Sequence, residues 1–189
     1  HTTISTLYNR FYLTSELNEV RSIISDEVKS GYSSIEKALE EFIRSDGKLL
    51  RPALLILSSR LGKEVFQTHT NNEFSNSYAD NSAVSRGSAL HLAAAVELLH
   101  MATLVHDDII DRSSTRRGKP TLNALYGDKD AVLLGDYLFS RSFFLASRYT
   151  DIDTGGYVAR MVGTICESEI SQNEGSFDFL RIFAGTTEG

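Results

Sequence analysis

The chain has 189 residues, 41% hydrophobic and 23% charged, which is enough apolar material for the core of one globular domain or most of one. A formal net charge of −6 excludes the excess of Lys and Arg on which non-specific nucleic-acid binding depends, so an anionic substrate would need clustered basic residues or an intervening metal. The single cysteine, Cys166, excludes an intrachain disulfide; read as a small buried hydrophobe in a helical pattern, it fits a reducing compartment, cytoplasmic or organellar.

The N-terminus lacks the basic, apolar and small-residue order of a signal peptide. No run of eighteen uncharged apolar residues occurs, so no membrane-spanning helix is expected. Only two prolines, Pro52 and Pro120, interrupt a chain rich in helix formers, and long helices follow. A first helix is predicted over Thr14–Lys29, with Thr14 as N-cap and Leu17, Val20, Ile23, Ile24 and Val28 as its apolar stripe. A second spans Ser33–Arg44, with Ile35, Ala38, Leu39, Phe42 and Ile43 facing inward. Ser45–Lys48 is a break, and Leu49–Leu61 resumes as a helix that tolerates Pro52 in its first turn.

Residues 67–87 are expected to form a surface loop insertion, since Gln67–Ser77 is polar, rich in asparagine and without periodicity. From Ser88 to Asp111 apolar residues lie on nearly every face, which predicts a helix at the centre of a bundle, roughly 36 Å long. Arg112–Asn123 reads as a basic, polar loop, and further helices are predicted over Asp128–Arg148 and Tyr157–Gln172. No β-hairpin signal, internal repeat or domain boundary stands out. The fold class expected is all-α.

Three aspartates close the central helix: Asp107, Asp108 and Asp111. Carboxylates are seldom buried unless paired or metal-bound, and three of them at the negative end of a helix dipole destabilise without compensation. At about 100° per residue, Asp107 and Asp111 stand about 40° apart on one face. Hard oxygens at that spacing suit Mg²⁺, which keeps several waters and bridges to phosphate oxygens. His100 shares that face roughly 10 Å below Asp107, whereas His106 points about 100° away and reads as structural.

Two basic sets could hold phosphates. Gly47-Lys48-Leu49-Leu50-Arg51-Pro52 opens a helix, where free amides and the dipole favour anions, and Arg116-Arg117-Gly118-Lys119-Pro120 follows the aspartates.

With these residues in view, the chain resembles the trans-type polyprenyl (isoprenyl) diphosphate synthases. The resemblance runs in order through Gly47-Lys48-x-x-Arg51-Pro52, Glu97-Leu98-Leu99-His100, Asp107-Asp108-x-x-Asp111, Arg116-Arg117-Gly118-x-Pro120-Thr121, Leu134-Gly135-Asp136-Tyr137-Leu138 and, weakly, Glu169–Gln172. It implies an isoprenoid-synthase-type helical bundle around a central cavity. It implies that Lys48, Arg51, His100 and Arg117 bind isopentenyl diphosphate, that Arg116 binds the allylic diphosphate, and that Asp107 and Asp111 hold Mg²⁺ with Asp108 in support. Ala102 and Thr103 stand where the family sets chain length, and their small size implies a medium or long product. A homodimer or heterodimer is implied, with peripheral membrane contact for product release.

The second aspartate-rich motif of the family, and the Lys-Thr pair before it, are not present. Residues 1–175 therefore read as the N-terminal part of a synthase domain, and 176–189 as a poorly matching tail. The bundle is expected to be incomplete at its C-terminal end, its open apolar faces covered by another chain or by the rest of a longer protein. A non-catalytic or regulatory partner of a complete synthase is the alternative reading. A metal-dependent phosphohydrolase, prompted by His106-Asp107, needs further histidines at the metal. His91 and His100 share one helix, and His1 and His69 lie in unpromising segments. A class I terpene cyclase shares the carboxylate motif, but the Lys48/Arg51 and Arg116/Arg117 sets favour elongation.

Overall fold

Apolar residues recurring every three or four positions wind the chain into helices whose stripes meet in one core. The structure, a computed structural model, describes residues 4–45, 47–69, 86–149, 156, 159–160, 162–164 and 166–168. It divides into two units, residues 1–149 and 150–189. In the first, the described elements are α1 (Ile4–Arg10), α2 (Thr14–Glu27), α3 (Ser33–Ser45), α4 (Leu50–His69), α5 (Arg86–Ile110), the strands β1 (Thr115–Arg116) and β2 (Lys119–Pro120), α6 (Leu122–Tyr126) and α7 (Asp128–Tyr149). The all-α class stands; the strands form only a two-residue antiparallel ladder, Thr115 opposite Pro120 and Arg116 opposite Lys119.

The central helix is α5, which packs on α7, α4 and α2. Its Ala93, Leu98, Met101 and Val105 meet Leu17, Val20 and Ile24 of α2, Ile56 of α4 and Leu134, Leu138 and Leu145 of α7 in one buried cluster. The segment Gly87–Ile110 is long and apolar enough to cross a bilayer, which a search for uncharged runs does not register because Glu97 interrupts it. Its packing against three neighbours makes it the core helix of the bundle.

Polar anchors fix the neighbours of α5. Ser142 on α7 donates to the buried Ala95 carbonyl at 2.7 Å. Gly135, also on α7, is a notch for His106: a Cβ there would lie 2.3 Å from His106 Nε2. The imidazole stacks on Phe139 and stands 3.5 Å from the Asp136 carboxylate, so its structural reading holds. At the far end of α2, Tyr137 donates to the Lys29 carbonyl at 3.2 Å and Arg141 Nε to the Glu27 carbonyl at 3.0 Å. These bonds satisfy carbonyls that a helix C-terminus leaves without partners.

Several expectations are corrected. The seven-residue α1 was not anticipated, because its short apolar pattern is weak. Thr14 does not cap α2. Leu13 occupies the N-cap with no side-chain bond, and Thr14 Oγ1 donates back to Asn9 Oδ1 at 2.6 Å. The cause is the tight closure of α1: Tyr12 adopts φ 53°, its N–H reaching Asn9 O and that of Leu13 reaching Tyr8 O, so Thr14 already lies inside the next helix. Of the expected 67–87 loop, Gln67–His69 complete α4 and Arg86–Gly87 open α5; residues 70–85 lie outside the described ones. The basic loop after α5 contains the small hairpin and α6. In the second unit the described residues are helical, with Ser168 Oγ donating to Thr164 O at 2.9 Å. Cys166 is exposed there, not buried, as polar Thr164, Glu167 and Ser168 surround it in sequence. The tail over residues 176–189 and the weak motif Glu169–Gln172 fall outside the described residues.

Candidate active site

The end of α5 is closed by backbone geometry that splays its aspartates. Arg112 adopts φ 52°, its N–H bonds Ile109 O at 3.1 Å, and Ser113 N–H bonds Asp108 O at 2.8 Å. This is a Schellman closure with arginine where glycine is usual. Because Asp111 N–H still bonds Asp107 O at 2.8 Å, the two residues stand on consecutive turns, and both are exposed.

Asp108 turns the other way. It is 4% exposed and accepts from Arg116 Nε at 3.1 and 2.9 Å and from Arg116 Nη2 at 2.9 Å. The side chain of Arg116, expected at the allylic diphosphate, thus meets Asp108 with the paired geometry that suits a guanidinium to a carboxylate. Asp108 thereby ties the end of α5 to the loop that follows it.

That loop is built to present Arg117. The two residues between the strands, Arg117 and Gly118, have φ 52° and 77°, as in the primed turns that match strand twist. Thr121 fastens the base of the hairpin: its N–H donates to Ser114 O at 3.1 Å, its hydroxyl to Ser113 O at 2.8 Å, and its oxygen caps Ala124 N–H of α6. Arg117 and Lys119 are exposed and line, with Phe42 and Asp108, a small notch of about 20 Å³. The larger cavity, about 350 Å³, lies between α2 and α3 at Arg21, Glu36 and Glu40 and shares no lining residue with this end of α5. Among the described residues, Asp107 and Asp111 stand on an open face.

That face continues down α5. Leu92, Val96, His100 and Thr103 are half-buried, and Asp107 and Ile110 are exposed, at spacings of three and four residues. They form one stripe, apolar at its lower end and acidic at its upper end. Thr103, whose hydroxyl donates to His100 O at 2.8 Å, lies on it. Ala102 does not: it is 0% exposed, in the packed core.

The connection from α3 to α4 reaches the middle of this helix. Gly47, at φ 88°, is so close to α5 that a Cβ would lie 3.0 Å from Glu97 Oε1. Glu97 is buried, one turn before His100. Lys48 and Arg51 are exposed on the connection and the first turn of α4, and Phe42, on the helix leading into it, reaches the notch of Arg117. Glu97 carried no role in the sequence reading, and its contact with Gly47 is a long-range fact that no local pattern encodes.

The family model for polyprenyl synthetase matches residues 32–181. The chain belongs to the polyprenyl synthetase family. This chain is 29% identical over 168 residues to heptaprenyl diphosphate synthase component 2 of Geobacillus stearothermophilus, an alignment covering 89% of this chain and 46% of that protein. It is also similar to two solved structures. One is a polyprenyl synthase from Caulobacter crescentus complexed with calcium and isoprenyl diphosphate (30% identity, TM-score 0.70, 89% of this chain and 45% of that one). The other is a geranylgeranyl pyrophosphate synthase from Lactobacillus brevis (26% identity, TM-score 0.77, 95% and 52%). The chain thus spans less than half the length of these curated relatives.

The donor set fits a hard cation in part. Asp107 and Asp111 supply exposed carboxylates on adjacent turns, while among the described residues no three His, Cys, Asp or Glu side chains converge as a ready-made site. Two carboxylates with the remaining positions left to water and diphosphate oxygens is an arrangement that Mg²⁺ accepts.

Proposed function

We propose that this chain carries the first carboxylate wall of a prenyltransferase that condenses isopentenyl diphosphate with an allylic diphosphate into a polyprenyl diphosphate of medium to long chain. The observation that carries the reading is the stripe on α5: Asp107 exposed at its top, His100 and Thr103 below, and an open apolar strip beneath them. A diphosphate head and an isoprenoid tail need these two environments, in this order.

Asp107 and Asp111 would hold Mg²⁺ for the allylic diphosphate. When bound, the ion stabilises negative charge on the departing diphosphate. Asp108 positions the hairpin by holding Arg116, Arg116 binds the allylic diphosphate, and Arg117 with Lys48, Arg51 and His100 binds isopentenyl diphosphate. The allylic C–O bond breaks, the isopentenyl double bond attacks the resulting carbon, and a proton leaves to the released diphosphate. Once the rest of the bundle covers it, the apolar strip would keep water from the cation. Thr103, small and on the open face, leaves room for a growing chain.

The same two-carboxylate set supports a second reading. Because it needs ligands from elsewhere, this chain could act as a partner subunit in a homodimer or heterodimer, in a cytoplasmic or organellar setting with peripheral membrane contact for product release. Incubation of the chain with isopentenyl diphosphate, a labelled allylic diphosphate and Mg²⁺, alone and together with a complete synthase, separates the two. Elongated product from the chain alone supports the catalytic reading, and altered product length only in the mixture supports the partner reading. Asp107→Ala or Asp111→Ala should abolish the metal-dependent effect in either case; near-normal turnover after both changes removes the metal assignment.

A further inference from the structure

We propose that Tyr8 and Arg21 are positioning residues for isopentenyl diphosphate: they hold the backbone of Gly47–Leu49 in the conformation that presents Lys48 and Arg51. The proposal rests on the reading of Lys48 and Arg51 as diphosphate ligands. The connection between α3 and α4 takes positive φ twice, at Gly47 (88°), which glycine tolerates, and at Leu49 (50°), where a residue with a Cβ is strained. Such a backbone relaxes unless its surroundings fix it.

Three elements distant in sequence do so. The Tyr8 hydroxyl, from α1, donates to the Lys48 carbonyl. Arg21 Nη2, from α2, donates to the Gly47 carbonyl at 3.2 Å. From α5, buried Glu97 lies close to position 47, where an added Cβ would come within 3.0 Å of its Oε1. The Leu49 side chain, 3% exposed, is drawn into the core below. Two carbonyls are thus held from one side, while the Lys48 side chain is exposed. A carbonyl pointing at an incoming diphosphate repels it. Donors that hold the Gly47 and Lys48 carbonyls toward α1 and α2 therefore favour the anion twice, by direction and by rigidity. Burial, with the Glu97 charge next in weight, pushes the Tyr8 hydroxyl above its ordinary value, so it stays protonated and remains a donor throughout the neutral range.

The test is calorimetric titration of the full 189-residue chain with isopentenyl diphosphate and, separately, with dimethylallyl diphosphate plus Mg²⁺. Tyr8→Phe and Arg21→Met should each weaken isopentenyl diphosphate by about threefold to tenfold, the scale of one hydrogen bond. Metal-dependent binding of the allylic compound should hardly move, and Arg21→Lys should recover most of the loss. Unchanged isopentenyl affinity in both variants, with Lys48→Ala weakened, overturns the positioning roles and leaves the diphosphate reading intact. Equal loss of both ligands also overturns them, since it marks general damage to the fold. Unchanged affinity in Lys48→Ala combined with Arg51→Ala, or no binding by the parent chain, overturns the diphosphate reading and the proposal with it.

Discussion

Arg116 lays Nε and Nη2 against the carboxylate of Asp108 at 2.9 to 3.1 Å, joining the last turn of α5 to the hairpin that follows it. Asp108 is the buried partner and Arg116 the half-exposed one. Removing the arginine leaves a carboxylate without its counter-charge in the bundle, whereas removing both leaves a small polar gap. Arg116→Ala should cost about 3 kcal/mol, the lower part of the range for breaking a buried pair. Asp108→Asn with Arg116→Ala should cost less than the sum of the single changes. Urea unfolding of the four proteins measures both.

The notch at Gly135 makes a second prediction. Gly135→Ala drives a methyl group into the His106 ring, for a loss of about 1–3 kcal/mol as in other overpacked cores. Combining it with His106→Ala should return much of that loss. Thermal midpoints of the single and double variants test the pairing.

At the end of α5, Arg112 adopts a left-handed conformation that costs an L-residue about 1 kcal/mol. Arg112→Gly should therefore raise stability by up to about 1 kcal/mol, less what is lost in cation–dipole attraction at the helix end. A lower unfolding midpoint would mean that the arginine charge outweighs the backbone strain.

The two neighbouring small residues on α5 should respond differently to bulk. Ala102→Phe overfills the core and should lower stability by about 1–3 kcal/mol or more. Thr103→Phe projects onto the open stripe and should leave stability nearly intact while shortening the product of an active assembly. Unfolding curves together with product sizing separate the two, and an unchanged product length after Thr103→Phe would count against the stripe as a path for the chain.

Alkaline pH should loosen the bundle through its tyrosines. Burial raises both Tyr8 and Tyr137 above 10.0, with nearby Glu97 adding to the first and Glu27 and Glu36 to the second, while Arg141 opposes the rise at Tyr137. A raised folded-state value means that these groups contribute their full stability below the unfolded value and lose it as pH climbs through the folded one. Tyrosinate also cannot donate to the Lys48 or Lys29 carbonyls. Unfolding free energy should decline above pH 10.0, and Tyr8→Phe with Tyr137→Phe should flatten the decline; tyrosinate absorbance followed alongside urea unfolding tests this.

The helices that carry most of the burial were legible because their periodicity is strong. The bounds of α3, α5 and α7 differ by no more than two residues at either end from those expected from Ile35–Ile43, Leu90–Ile110 and the apolar positions of Asp128–Tyr149. Asp107 and Asp111 were placed on one face by helical geometry alone, and the structure keeps them on adjacent exposed turns. What sequence does not carry is the identity of partners across the fold. Asp108 stands about 100° from Asp107, which says that it faces elsewhere but not that Arg116 waits there. Tyr8 was missed because α1 was missed, and its bond to Lys48 spans forty residues. The hairpin escaped notice because its turn is Arg117-Gly118, outside the usual Asn-Gly and Asp-Gly signatures.

The glycine beneath His106 also acts as a key for alignment. Helices packed through smooth apolar ridges can slip along one another by a turn at modest cost, but a ring lodged in a single Cβ-free position cannot. Sliding α7 by one residue would present Leu134 or Asp136 to the imidazole in place of Gly135. Since His106 immediately precedes Asp107, the height at which the carboxylates stand relative to α7 is set by that one fit. Any change that shifted α7 along its axis would have to carry the acidic end of α5 with it or break the lock.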